Sequence, residues 1–189
     1  MRYHRNHYLR CVLIFKIIAA FLYNYHPLWA AEKKVLNEAS TSPRIFSTWE
    51  GFEADKCASI WLIKKFIDSK AQFKFFPKGE LITEGIPFDT PDAELRRDQH
   101  QSTFESLAKK YTIKDSAIME MGNIIYDIEV NVWGKKVYQE SRKIEEDIRN
   151  IITSYKNNEE IIGKSDTYFE IMYTTLKNQK KDYGDKNLK

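Results

Sequence analysis

The stretch Ala54-Asp55-Lys56-Cys57-Ala58-Ser59-Ile60-Trp61-Leu62-Ile63-Lys64-Lys65-Phe66-Ile67-Asp68 decides how the rest of the chain is read. Ala54, Cys57, Ala58, Trp61 and Leu62 recur at the spacing of one helix face, and Ile60, Ile63 and Ile67 widen that face. The pattern predicts a helix over residues 53–68, apolar around most of its circumference and therefore buried. Its polar positions Asp55, Lys56 and Ser59 fall on one narrow arc, expected to face solvent or a cleft. Cys57 and Trp61 lie on the apolar side. Cys57 therefore reads as an inert buried thiol and Trp61 as core.

Short strands flank this helix. Residues 44–49 (RIFSTW) and 72–76 (QFKFF) carry the β-branched and aromatic residues of strands, and Gly51 breaks the first. Residues 86–89 read as a short extended piece before Thr90-Pro91, because a residue preceding proline avoids helical geometry. A further strand is expected over residues 93–98. After that the pattern turns helical. Ser102-Thr103-Phe104-Glu105 is a capping box, in which hydroxyl and carboxylate satisfy each other's backbone amides. Asp115 can cap the next helix, which carries Ile118, Met121, Ile125 and Ile128 on one face, with Gly134 ending that stretch. Val137, Ser141, Ile144, Ile148, Ile151, Ile152 and Tyr155 define another. Ser165 or Asp166 is expected to cap a last helix with Phe169, Met172, Tyr173 and Leu176 inward. Short strands first and helices afterwards predict an α+β fold: a small sheet in the N-terminal half and a mostly helical C-terminal half.

The chain of 189 residues has room for one domain with tails. Residues 1–30 read as a signal peptide: a basic start, an apolar run from Cys11 to Leu22, then small residues at Ala30 and Ala31. The apolar run is short for a ~30 Å hydrocarbon core and contains Lys16, so an uncleaved membrane anchor is the alternative. Residues 31–43 read as a linker, 44–177 as the folded domain and 178–189 as a disordered tail. A periplasmic or secreted location follows, with the membrane met only during export.

The formal charge of +3 belongs to that leader. Residues 1–30 hold four bases and no acid, and the remainder has 26 basic against 27 acidic residues, a net of −1. This gives no electrostatic footprint for nucleic acid. After the leader, His100 and Cys57 are the sole His and Cys, too few for a zinc site of those ligands. No metal ligand set is assigned and no cofactor is expected, since no phosphate loop or dinucleotide fingerprint is present.

Arg96, Arg97 and His100 form a basic cluster just before the Ser102 cap. A guanidinium fork beside free helix N-terminal amides suits a tetrahedral dianion. Lys56 is a possible fourth member. The alternative is a solvated basic loop with Asp98 in its middle. Asp89, Glu105, Asp127 and Glu129 are scattered carboxylates, of which Glu105 already has a capping role.

Residues 54–68 resemble the start of the C-terminal domain of ChrB-type chromate-resistance proteins: an acidic-basic pair, small residues, Trp-Leu-Ile, two bases and Phe-Ile-Asp. Ile86-Pro87-Phe88-Asp89, Thr103-Phe104-Glu105, Asp127 within residues 123–130 and Tyr168–Tyr173 are similar to the later landmarks, so the resemblance spans about residues 44–176. It singles out Asp55, Trp61, Asp89, Glu105 and Asp127 as motif positions. Lys56 stands where the family usually has Arg, and Arg96-Arg97 and Tyr126 stand where relatives carry His. Members with a further N-terminal domain are linked to chromate-responsive regulation. The sequence reads without it, so regulation and DNA binding are not expected.

The resemblance and the leader together imply an exported accessory or oxyanion-binding protein of a chromate-resistance system, taking a small chromate-like oxyanion. Binding is favoured over catalysis because no nucleophile or cofactor motif is present. The alternatives are a periplasmic enzyme acting on chromate or using a carboxylate-bound metal, and an interaction domain without a chromate role. No protein partner and no catalytic residue is assigned.

Overall fold

The computed structural model describes residues 43–186, with side chains described as far as Gln179. The leader and most of the linker read above lie outside the described residues. Among these residues no helix is long and apolar enough to cross a membrane.

Strand β1 (Ile45–Trp49) is the centre of a three-stranded sheet in the order β2-β1-β3, with β2 at Gln72–Phe76 and β3 at Ile86–Pro87. All pairings are parallel: Phe46 lies opposite Phe73 and Ile86, and Trp49 opposite Phe76. Parallel neighbours need a crossover, and helix α1 (Ala54–Leu62) supplies it between β1 and β2. Phe46, Phe73 and Phe88 pack their rings 6.3–6.4 Å apart on one face of the sheet. Gly85 lets the approach to β3 lie against β1. A Cβ there would meet the Ser47 hydroxyl at 2.5 Å and the Ile45 carbonyl at 2.8 Å, and its φ is +81°.

Every residue of α1 is buried, as its all-round apolar pattern predicts. The helix widens into π-type turns over Ile63–Ile67, closed where the Asp68 amide donates to the Ile63 carbonyl at 2.8 Å. Around α1 pack helices α2 (Thr103–Lys110), α3 (Ser116–Glu129), α4 (Ser141–Ser154) and α5 (Asn158–Lys186). Trp61 is core, with the rings of Phe66, Phe169 and Tyr173 at 5.6–6.5 Å. The result is the expected α+β fold with its small sheet first and its helices after.

Several boundaries differ from the sequence reading. The strand expected over residues 93–98 reduces to one parallel bridge between Leu95 and Phe88, because the turn at Thr90–Ala93 leaves Leu95 alone alongside Phe88. Helix α3 ends at Glu129 rather than Gly134. Asp127 accepts the amides of Val137 and Tyr138 and the Ser141 hydroxyl, and this pulls the chain into a loop. Helix α5 starts before Ser165. Asn157 caps it, accepting the Glu160 amide at 2.8 Å while its own amide group donates to that carboxylate. Ser165 is then a buried mid-helix residue bonded to the Ile162 carbonyl. The backbone helix also continues through Asn178, read as the start of a tail, to Lys186.

Candidate functional site

Because the strands are parallel, their carboxyl ends share one edge, the usual place for ligands in such sheets. From β1 the chain turns at Gly51, with φ +92°, and enters α1 through Glu53. After β3 it reaches Asp89, which is held at φ +53° in the left-handed region that Asp tolerates better than most residues. Two clefts open there. One of about 260 Å³ runs from Trp49 to Glu53 and is closed by Lys56, Lys78, Asp89 and Arg97. The other, about 450 Å³, is lined by Asp89, Thr90, Pro91, Arg96 and Arg97. Asp89 and Arg97 belong to both.

The polar arc of α1 does not face solvent. Asp55 and Ser59 are fully buried and Lys56 nearly so. The Lys56 ammonium donates to the Trp49 and Gly51 carbonyls, each at 2.7 Å, and stands 3.6 Å from Asp89. Burial pulls it below its ordinary value, against the attraction of Asp89. Arg97 reaches Glu53, Glu129 at 3.0 Å and Asp89 at 3.8 Å. Asp89 accepts the Thr103 hydroxyl at 2.8 Å. Burial pushes its carboxyl upward, against the charge of Lys56.

Two helix N-termini end inside this network, and each receives a carboxylate from another element. Glu129 accepts the Ala54 amide that opens α1, at 3.0 Å. Asp55 accepts the Thr103 and Phe104 amides that open α2, at 2.7 and 2.9 Å. Burial, and then the negative charge of Asp89, push the Asp55 carboxyl up to about 8. The amides that the sequence reading offered to an anion are thus already filled by the protein. A buried helix start needs an acceptor, and Asp55 is the one supplied.

The predicted site residues divide accordingly. Lys56 and Arg97 meet at Asp89. Arg96 lies beside Arg97 and Asp89 in the larger cleft, its guanidinium donating to the Pro91 carbonyl. His100 is exposed outside both clefts, its ring nitrogen 3.0 Å from the Gln99 side chain. Glu105 serves the capping box with Ser102. Asp127 anchors the loop after α3. Hydrogen bonds from Asn131, Ser141 and two amides outweigh its burial and hold its carboxyl below the ordinary range. Cys57 is buried, and burial pushes its thiol up to about 12, as expected of an inert position. The sequence reading missed Glu53 and Lys78. Glu53 sits one turn before Lys56 on the same helix start, a signal that was present; Lys78 is placed by tertiary structure alone. Among the described residues, no group of three or more His, Cys, Asp or Glu side chains is placed to hold a metal ion.

Fold and cleft together define an α+β domain with a charge-lined pocket at the carboxyl edge of a parallel sheet. The chain belongs to the family of the ChrB C-terminal domain, whose family model matches residues 46–176. That is the chromate-resistance family which the α1 segment resembles. No curated protein and no solved structure matches the chain.

Proposed function

We propose that the protein is an exported accessory protein of a chromate-resistance system and binds the oxyanion in the twin clefts at Lys56, Arg96 and Arg97. The observation that carries this reading is the pair of cations, Lys56 and Arg97, aimed at one buried point where two clefts meet. Both cations have structural partners, and both also line a cleft, where a small anion can reach them. Lys78 and Arg96 add positive charge at the rims. His100, outside both clefts, is dropped from the anion site. Export rests on the basic, apolar and small-residue order of residues 1–31.

Calorimetric titration of the purified protein with chromate at ~0.15 M ionic strength, where charges are screened beyond about 8 Å, tests the site. Wild type binds and Arg97→Ala binds at least ~10-fold more weakly, about 1.4 kcal/mol. His100→Ala binds like wild type. Equal, salt-sensitive binding by all three proteins contradicts the reading. For export, the intact mass of the protein from the periplasmic fraction is expected to correspond to a start near Ala31. A mass still including Met1 contradicts cleavage.

A further inference from the structure

Asp89 puts a carboxylate where a bound anion would sit, and a purely cationic pocket would hold an anion better without it. Its side chain is 3% exposed and lines both clefts. One carboxyl oxygen accepts the Thr103 hydroxyl, while Lys56 and Arg97 stand at ion-pair distance, 3.6 and 3.8 Å. The charged groups around it come from every neighbouring element: Asp55 and Lys56 of α1, Glu53 before it, Lys78 after β2, Arg97 before α2, and Glu129 at the end of α3. An oxyanion lying between Lys56 and Arg97 must touch Asp89.

We infer, resting on the anion-site reading above, that Asp89 sets the specificity of the cleft by sharing one proton with the bound oxyanion. It thereby selects tetrahedral anions basic enough to take up a proton near neutral pH, such as chromate or phosphate, over sulfate. Two oxygens that both lack a proton repel each other, and the low-dielectric interior strengthens that repulsion. One proton between them turns the contact into a short charge-assisted hydrogen bond. Sulfate is the anion of a strong acid and brings no proton. Asp89 must then take one from solvent, and that requirement grows harder to meet as pH rises. Burial already raises the proton affinity of Asp89, so the group is suited to holding the shared proton. Sulfate and chromate share charge and shape and would be equal ligands of a plain basic patch; an acceptor at the floor separates them.

Asp89→Asn is the matching variant. It keeps the size of the side chain, offers N–H donors to an anion, and suits the left-handed backbone at this position. Wild type and variant are titrated with chromate, phosphate and sulfate at pH 7 and 8, in two buffers of different ionisation enthalpy. Wild type is expected to prefer chromate or phosphate to sulfate by at least ~10-fold. Its sulfate binding takes up about one proton and weakens by up to ~10-fold per pH unit. Asp89→Asn binds sulfate without proton uptake and loses the preference. Whichever of chromate and phosphate binds more tightly identifies the source of the protonated oxyanion, and either order supports the role of Asp89. Equal wild-type affinities for sulfate and chromate overturn it, as does a preference retained by Asp89→Asn. Binding of no anion by wild type contradicts the anion site itself rather than the role of Asp89. If the variant does not fold, the two-buffer proton count on wild type decides the question alone.

Discussion

The two ends of α1 are buried to the same depth and bury opposite things. Its C-terminal end sinks Trp61 among Phe66, Phe169 and Tyr173. Its N-terminal end sinks Asp55, Lys56 and Ser59 into a network of carboxylates, amides and one guanidinium. The first end is what folding alone requires, since apolar burial is the dominant favourable contribution. The second costs desolvation that hydrogen bonds and ion pairs only offset. One continuous helix therefore runs from the apolar core to the clefts at the carboxyl edge of the sheet.

Trp61→Ala is expected to destabilise the domain by roughly 3–5 kcal/mol, read as a lowered denaturant midpoint, while the remaining folded protein keeps its anion affinity. An unchanged midpoint means the apolar end is misassigned. At the other end, Lys56→Met leaves Asp89 and the carbonyls of Trp49 and Gly51 without their cation. Stability should fall by roughly 3 kcal/mol, and chromate binding should be lost in the protein that remains folded. Binding retained by folded Lys56→Met separates the buried lysine from the ligand.

A smaller effect sharpens the same contrast through pH. The Asp55 carboxyl rises from an ordinary 3.8 to about 8 in the folded domain. Its contribution to stability is therefore fully present below about 3.8 and is lost as pH rises through about 8. The thermal midpoint of wild type should decline from pH 5 to pH 8 by this contribution, and Asp55→Asn should flatten the decline. A wild-type midpoint that instead rises across this range contradicts the assignment.

What the sequence made legible follows the same division. The apolar end of α1 was readable because periodicity reports burial directly, and the Ser102–Glu105 capping box because its partners are three residues apart. The start of α5 was missed although Asn157 and Glu160 carry the same local signal, since Ser165 and Asp166 offered a competing cap nearer the apolar stripe. The polar end of α1 was readable only as an arc. Whether that arc meets water, a cleft or another helix depends on Glu129, 75 residues away, and on Thr103 and Phe104, 48 and 49 residues away. The geometry of the basic cluster was not readable for the same reason. Adjacent residues Arg96 and Arg97 point to different partners, and local sequence does not say which one turns toward Asp89.

The most direct test of the anion cleft is where chromate sits. Chromium scatters anomalously, so crystals of the protein equilibrated with chromate report the ion's position without reference to any variant. One strong chromium peak is expected between the Lys56 ammonium and the Arg97 guanidinium, in contact with Asp89. A chromium peak elsewhere on the molecule, or none at saturating chromate, contradicts it.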